Sequence, residues 1–228
     1  MNEQDVGGRR WPARHPGWIA AALVGVAIAW DLTGLDIAVA RWFGGAAGFP
    51  WREQWWLSGL LHDGGRRLSW GVALALCVGI EWPFGPLRAL HRSARLQLAV
   101  TTGLAAAAVA LVKSASLTSC PWDLQEFGGV AHLVPHWLGW TATDGGSGRC
   151  FPAGHASSGF AFFGGWFVFR ERPEIARRWF AAALGAGGVF GLAQQMRGAH
   201  FLSHTLWTAV VCWCVAWGVD TVWPEALA

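Results

Sequence analysis

A short stretch near the carboxyl end of the chain holds the side chains best suited to chemistry. Arg197, His200 and His204 lie between two long apolar segments, and on a helix they would fall at positions i, i+3 and i+7, on one face. A cation and two imidazoles at the mouth of an apolar bundle are costly unless they are used, so the pattern favours a functional site. The competing interpretation is an interfacial helix start, with the arginine reaching towards water and the histidines bonded to loop carbonyls.

A second polar patch, residues 150–159, opens another apolar segment. Here Pro152, Ala153 and Gly154 precede His155, and a helix that starts in this way presents free backbone N–H groups and the positive end of its dipole to an anion. The imidazole could then give a proton to a leaving oxygen. The alternative is a polar helix start that is capped by serine hydroxyls.

A third patch begins at Lys113, which ends an apolar segment and is followed by Cys120-Pro121-Trp122-Asp123. A lone lysine at a helix end is also typical of an anchor at the membrane surface. Cys120 and Cys150 share one polar segment, and they could pair if that segment faces an oxidising compartment; two free thiols are the alternative. The cysteine and histidine spacings match no zinc pattern.

The composition indicates a membrane protein of one domain. Of the 228 residues, 54% are hydrophobic and 14% charged, and the mean hydropathy is +0.33. The 18 tryptophans often flank apolar runs, as interfacial anchors do. The net charge of +3 comes without a basic stripe interleaved with aromatic residues, so nucleic acid is not an expected partner.

The apolar runs predict an all-α bundle of about six transmembrane helices, since roughly 20 residues span the hydrocarbon core. The predicted spans are 18–35, 68–82, 96–113, 153–169, 180–195 and 205–222. Loop 36–67 is rich in tryptophan, and its middle could form an amphipathic helix on the membrane surface. The longest polar connection, 114–149, joins the third and fourth spans.

Arginine-rich loops set the expected orientation. Six spans place three groups of arginines on one side, which the positive-inside rule makes cytoplasmic: Arg9, Arg10 and Arg14; Arg88, Arg92 and Arg95; Arg170, Arg172, Arg177 and Arg178. Arg66 and Arg67 are the exception. The sequence thus predicts a cytoplasmic segment 1–17, a transmembrane domain 18–222 and a cytoplasmic tail 223–228, with an uncleaved first span. All three polar patches would face the periplasmic or extracytoplasmic side of the cytoplasmic (inner) membrane.

The three patches, in this order and at these spacings, resemble the type 2 phosphatidic acid phosphatase (PAP2) superfamily. The family pattern is Lys-x6-Arg-Pro, then Pro-Ser-Gly-His, then Ser-Arg-x5-His-x3-Asp. The corresponding blocks here are Lys113-x6-Cys120-Pro121, Pro152-Ala153-Gly154-His155 and Ala193-Gln194-x5-His200-x3-His204. The resemblance covers roughly residues 60 to 220 and implies a six-helix membrane fold.

Four positions depart from the family pattern. Cys120 and Gln194 stand where the family has phosphate-binding arginines, Ala153 replaces a serine, and His204 replaces the aspartate that orients the nucleophile. Several other side chains could compensate. Arg197 or Arg149 could bind the phosphate, His204 could accept from the Nδ1–H of His200, and Asp63 or Asp123 could supply the missing negative charge.

The resemblance implies phosphoryl transfer through a phosphohistidine, with no metal ion or other cofactor. His200 would attack phosphorus, and His155 would protonate the leaving oxygen and then activate water. Lys113, Arg197 and the N–H groups around Ala153 and Gly154 would stabilise the phosphoryl oxygens.

The expected substrate is a phosphorylated membrane lipid, such as phosphatidic acid, an isoprenyl pyrophosphate or a lipid A phosphate. Three interpretations remain open at this point: a lipid phosphatase, a lipid phosphotransferase, and a membrane protein that kept the fold and lost the chemistry. A transporter is disfavoured, because the first three spans carry almost no polar residues in their middles. The sequence does not indicate an oligomeric state.

Overall fold

The computed structural model describes residues 17–223, and this range is built from helices. The α-helices, in chain order, are α1 Gly17–Thr33, α2 Asp36–Ala40, α3 Gly65–Val78, α4 Arg92–Ala115, α5 Ser157–Phe160, α6 Gly164–Val168, α7 Pro173–Met196 and α8 Leu202–Val222. Between them lie turns, short 3-10 helices and one π-helix. Residues 1–16 and 224–228, to which most of the predicted cytoplasmic segment and tail belong, lie outside the described residues.

Helix α8 lies at the centre of the bundle and packs against α1, α4 and α7. Its fully buried Trp213 contacts the rings of Phe163, Phe167 and Phe180 at centroid distances of 5.2 to 5.7 Å. Aromatic rings prefer such tilted and edge-on contacts, because the positive edge of one ring meets the negative face of another. This aromatic cluster packs the apolar interior of the bundle, and the three polar patches lie outside the cluster.

The predicted fourth span, 153–169, is not one regular helix. Helices α5 and α6 alternate with the 3-10 helices Gly154–Ala156 and Ala161–Phe163. The segment lies directly against α7: a Cβ atom on Gly159 would be 2.1 Å from the backbone nitrogen of Gly187. Only glycine allows the two backbones to approach so closely. This close contact holds the first turn of the segment, which carries His155, inside the bundle.

Loop 36–67 also differs from the expectation. Its second half, Trp56–Gly64, is a π-helix that continues into α3 without a break, since Gly64 keeps helical angles (φ −64°, ψ −46°). The helix in this loop thus lies in its second half rather than in its middle, and a position on the membrane surface stays a prediction. Because π-helices of this length are rare and often mark functional sites, the placement of His62 and Asp63 on this one is notable.

By length and composition, α4 and α8 could each cross a membrane, while α1 is apolar but shorter. These are the two such candidates among residues 17–223. The all-helical class is confirmed, and the six-span arrangement stays a prediction.

Candidate active site

The stretch that carries His200 and His204 is a helix–turn–helix junction rather than one helix. Helix α7 ends at Met196, and Gly198 turns the chain with left-handed angles (φ 72°) before α8 begins at Leu202. The prediction that Arg197, His200 and His204 share a helical face is therefore wrong. The turn still brings the two buried imidazoles together, with ring centroids 5.7 Å apart.

Cys150 lies directly against both of these imidazoles. It forms a disulfide with Cys120, with Cα atoms 5.1 Å apart, and its Sγ atom is 3.7 Å from Nδ1 of His200. The backbone of Cys150 also interacts electrostatically with both rings. Because Nδ1 of His200 faces this cysteine, Nε2 of His200 is the nitrogen available to a substrate.

His200 is neutral at physiological pH. Its complete burial lowers the pKa well below the usual range, and the charge on Lys113 adds to this shift. A neutral imidazole has a free lone pair, so His200 meets the first requirement of a nucleophile.

Lys113 lies at the end of α4 and reaches the start of the 154–168 segment. A Cβ atom on Gly154 would lie 3.8 Å from the lysine Nζ, and Lys113 interacts electrostatically with His155, His200 and His204. One cation therefore faces all three histidines that the sequence singled out.

The backbone donors near Lys113 are not equally free. The N–H of Ala153 donates to the carbonyl of His204 at 3.2 Å, and Thr208 donates its hydroxyl to the carbonyl of Ala153 at 3.1 Å. The Ala153 amide is thus used within the protein, while its contact with phosphate stays a prediction. Gly154, the next residue, lies beside the Lys113 side chain.

The two arginines expected to bind phosphate lie in different surroundings. Arg197 is buried, donates from Nε to the carbonyl of Arg52 at 2.8 Å and from Nη1 to Gln194 at 3.3 Å, and interacts electrostatically with His155. Arg149 is exposed and has left-handed backbone angles (φ 57°). The structure brings Arg197 to the site, while the described contacts give Arg149 no link to it.

The two candidate carboxylates also separate. Asp63 accepts a hydrogen bond from Nδ1 of His62 at 2.9 Å, and the His62 ring stacks on His155 with centroids 3.8 Å apart. Asp123 instead accepts from the hydroxyl of Ser147. Asp63 therefore reaches the site through a histidine that the sequence analysis did not single out.

A second carboxylate cluster behind His204 was missed entirely. Nε2 of the buried His136 is 3.5 Å from Oδ2 of Asp31, and its ring is edge-on to His204 at 6.1 Å. Burial lowers the pKa of His136, while Asp31 and Asp36 oppose that shift. Asp36 also accepts from the backbone N–H of Ser203 and so caps the first turn of α8, which carries His204. The one signal in the sequence for this cluster was Asp31, an aspartate at the end of the first apolar run.

The same cluster also brings potential metal ligands together. Ligand atoms of Cys150, His200 and His204 lie within 4.8 Å of one another. The sulfur of Cys150 is in the disulfide and has no thiolate to offer, which leaves two imidazoles. This set falls short of the three or four ligands that a zinc site requires.

Together these residues define a helical protein with a largely buried cluster of histidines beside Lys113 and Arg197, an arrangement suited to phosphoryl transfer. A family model, described as the PAP2 superfamily, matches residues 94–226, more than half of the chain. The chain belongs to this superfamily, whose members are usually phosphatases, and this membership supports a phosphatase-type function in general terms. Comparisons with curated proteins and with solved structures gave no match.

Proposed function

We propose that the protein is an integral membrane lipid phosphatase that works through a phosphohistidine at His200. The observation that carries the proposal is the convergence of Lys113, Gly154 and His155 on the neutral His200, whose Nδ1 is turned towards Cys150. In the first step Nε2 of His200 attacks phosphorus and displaces the lipid alcohol or lipid phosphate. In the second step water attacks the phosphohistidine, which releases phosphate and restores the imidazole.

The remaining site residues hold the phosphoryl group and move protons. Lys113, Arg197 and the Gly154 amide neutralise the phosphoryl oxygens, and Arg149 is a further candidate from the sequence. His155 is a proton-transfer residue, because its buried Nε2 has no hydrogen-bond partner among residues 17–223. His204 supports His200 from the first turn of α8. The reaction needs no metal ion or cofactor.

The proposed substrate is a phosphate monoester or pyrophosphate of a membrane lipid, of the phosphatidic acid, isoprenyl pyrophosphate or lipid A type. The apolar composition and the two long apolar helices support a site at the membrane surface. The proposed location is the cytoplasmic membrane, with the site facing outwards, where the Cys120–Cys150 disulfide would persist.

The test is phosphate release by purified protein in detergent, measured on a panel of these lipids without added metal. We expect release from at least one lipid and its loss in His200→Ala. The control His132→Ala changes an exposed histidine in the connection 114–149 and should keep the wild-type rate. Transfer to an acceptor lipid without release would make the protein a phosphotransferase. Inactivity in both assays would indicate a fold that has lost its chemistry, as the substituted positions Cys120 and Gln194 would allow.

A further inference from the structure

An apolar groove on the side of the bundle is lined by α3, by α7 and by the segment 154–168, and the reaction described so far does not use it. Its volume is about 460 Å³. Gly159, Phe162 and Ala183 line the groove and are buried, whereas Leu68 and Val72 line it and are exposed. The groove is therefore open on the side of α3, where the predicted second span would meet the lipid.

One end of the groove lies beside the candidate active site. Ser158 lines the groove and follows His155 by about one helical turn. Gly65 also lines it and directly follows the π-helix that carries His62, whose ring stacks on His155 with centroids 3.8 Å apart. A phosphate bound beside His155 would thus have the upper end of the groove within reach of the chain attached to it.

The other end of the groove lies far from the site. Its lining residues on α7 run from Phe190 near the site to Ile175, which is about 22 Å at 1.5 Å per residue. Near this far end the indole of Trp179 donates to the carbonyl of Phe162 at 2.7 Å, and this bond fixes the ring. One leaflet accounts for only about 15 Å of the hydrocarbon core, so a chain that fills the groove passes the middle of the bilayer.

The size of the groove fits one hydrocarbon chain and not two. A water molecule takes about 30 Å³ in the liquid, and a methylene group is of similar size, so the groove holds roughly 15 such groups. This number corresponds to a single long chain. The two chains of a diacyl lipid, each of comparable length, would need about twice this volume.

We infer that the groove holds the hydrocarbon chain of the substrate, with the phosphate at His200 and the end of the chain near Trp179. The favoured substrate class is then a lipid phosphate with one long chain, of the isoprenyl or alkyl type, rather than a diacyl or multiply acylated lipid. The inference rests on the proposed function and narrows its substrate.

Two neighbouring alanines provide a matched pair of variants. Ala182 lines the groove about 12 Å along α7 from Phe190, whereas Ala181 is exposed beside it and does not line the groove. Ala182→Phe therefore places a ring across the path of a long chain, and Ala181→Phe places the same ring outside it. A six-carbon chain ends before Ala182, while a twelve-carbon chain reaches past it.

The test measures kcat/KM for hexyl phosphate and dodecyl phosphate, with the protein in amphipol and without free detergent. We expect the wild type to favour dodecyl phosphate by about tenfold or more, since each methylene taken from water into an apolar groove strengthens binding. Ala182→Phe should reduce this ratio to less than about threefold, and Ala181→Phe should keep the wild-type ratio. Because a ratio does not depend on the amount of active protein, partial unfolding of a variant does not affect it.

A second comparison tests the single chain. Dihexanoyl phosphatidic acid and dodecyl phosphate carry the same number of chain carbons, in two short chains or in one long chain. We expect kcat/KM to be higher for dodecyl phosphate by about tenfold, because only the long chain can use the length of the groove. Equal values, or a preference for the diacyl ester, would overturn the assignment of a single-chain substrate.

The remaining outcomes separate the groove from the chemistry. Equal ratios in Ala182→Phe and Ala181→Phe, with the wild type active, would overturn the role of the groove and leave the proposed function in place. If Ala182→Phe does not fold, Val72→Phe fills the groove from α3 and should reduce the ratio in the same way; an unchanged ratio in Val72→Phe would overturn the inference. Wild-type inactivity on these esters and on the lipid panel would overturn the proposed function, and the inference with it.

Discussion

The disulfide offers the most quantitative test of how the site is held. Cys120 and Cys150 close a loop with a sequence separation of 30, and the sulfur of Cys150 lies 3.7 Å from Nδ1 of His200. On the chain-entropy account, such a link disfavours opening of the segment by about 3.6 kcal/mol. This corresponds to a shift of roughly 400-fold in the equilibrium between the closed and open segment.

We therefore expect the double variant Cys120→Ser/Cys150→Ser to open segment 120–150 far more often. Hydrogen exchange should report this at two amides near the loop ends, Arg149 N–H, which donates to Ser116, and Cys150 N–H, which donates to Thr118. Phosphate release should fall in parallel, because Cys150 would no longer be held against Nδ1 of His200.

The matched control replaces two free cysteines, as Cys77→Ser/Cys214→Ser, and keeps the disulfide. It should leave both exchange and turnover at wild-type values. If the double variant at 120 and 150 exchanges and turns over like this control, the disulfide does not position the site. The segment would then be held by other contacts, such as the hydrogen bonds from Ser119 to the buried Asp144.

Three further predictions concern the turn between α7 and α8. Gly198→Ala places a side chain at φ 72°, with its Cβ 2.3 Å from the ring of Phe49. It should therefore destabilise the protein by about 2–5 kcal/mol and lower the midpoint of thermal unfolding. The control Gly185→Ala, which has open space around its Cβ, should not lower the midpoint. Arg197→Lys should reduce kcat/KM by roughly 10- to 100-fold, since a lysine cannot reproduce the bidentate fork; wild-type kinetics would contradict its phosphate role. The pKa of His200 is lower in the folded protein than in the unfolded chain. The contribution of His200 to stability is therefore complete above about pH 6.5 and is lost as the pH falls below this value. As a result, the unfolding midpoint of His200→Gln should vary less between about pH 7.5 and 5 than that of the wild type.

The helices and the motif blocks were largely predictable because they depend on local sequence. Apolar runs and flanking polar residues gave α4, α7 and α8 to within a few residues, apart from the early start of α7. The blocks around Lys113, His155 and His200 lie at the spacings of the family pattern, so they could be found without knowledge of the fold. Gly198, between two apolar runs, indicates the end of a helix. The interpretation of residues 197–204 as one helix did not use this signal.

The missed features all depend on contacts between distant parts of the chain. The indole of Trp207 donates to Asp31 across 176 positions, and His62 stacks on a histidine that lies 93 residues further along. No periodicity within a window can pair such residues. The π-helix is equally invisible, because its residues would also fit a loop or an α-helix.

The central claim is that His200 carries the phosphoryl group during turnover. Its most direct test is to mix the purified protein with a ³²P-labelled substrate identified in the lipid panel, quench within the first turnover under alkaline conditions that preserve phosphohistidine, and map the label by mass spectrometry. We predict one labelled peptide, with phosphate on Nε2 of His200, and no label in His200→Ala. Phosphate release by the wild type without any labelled histidine, or with the label on another residue, would contradict it.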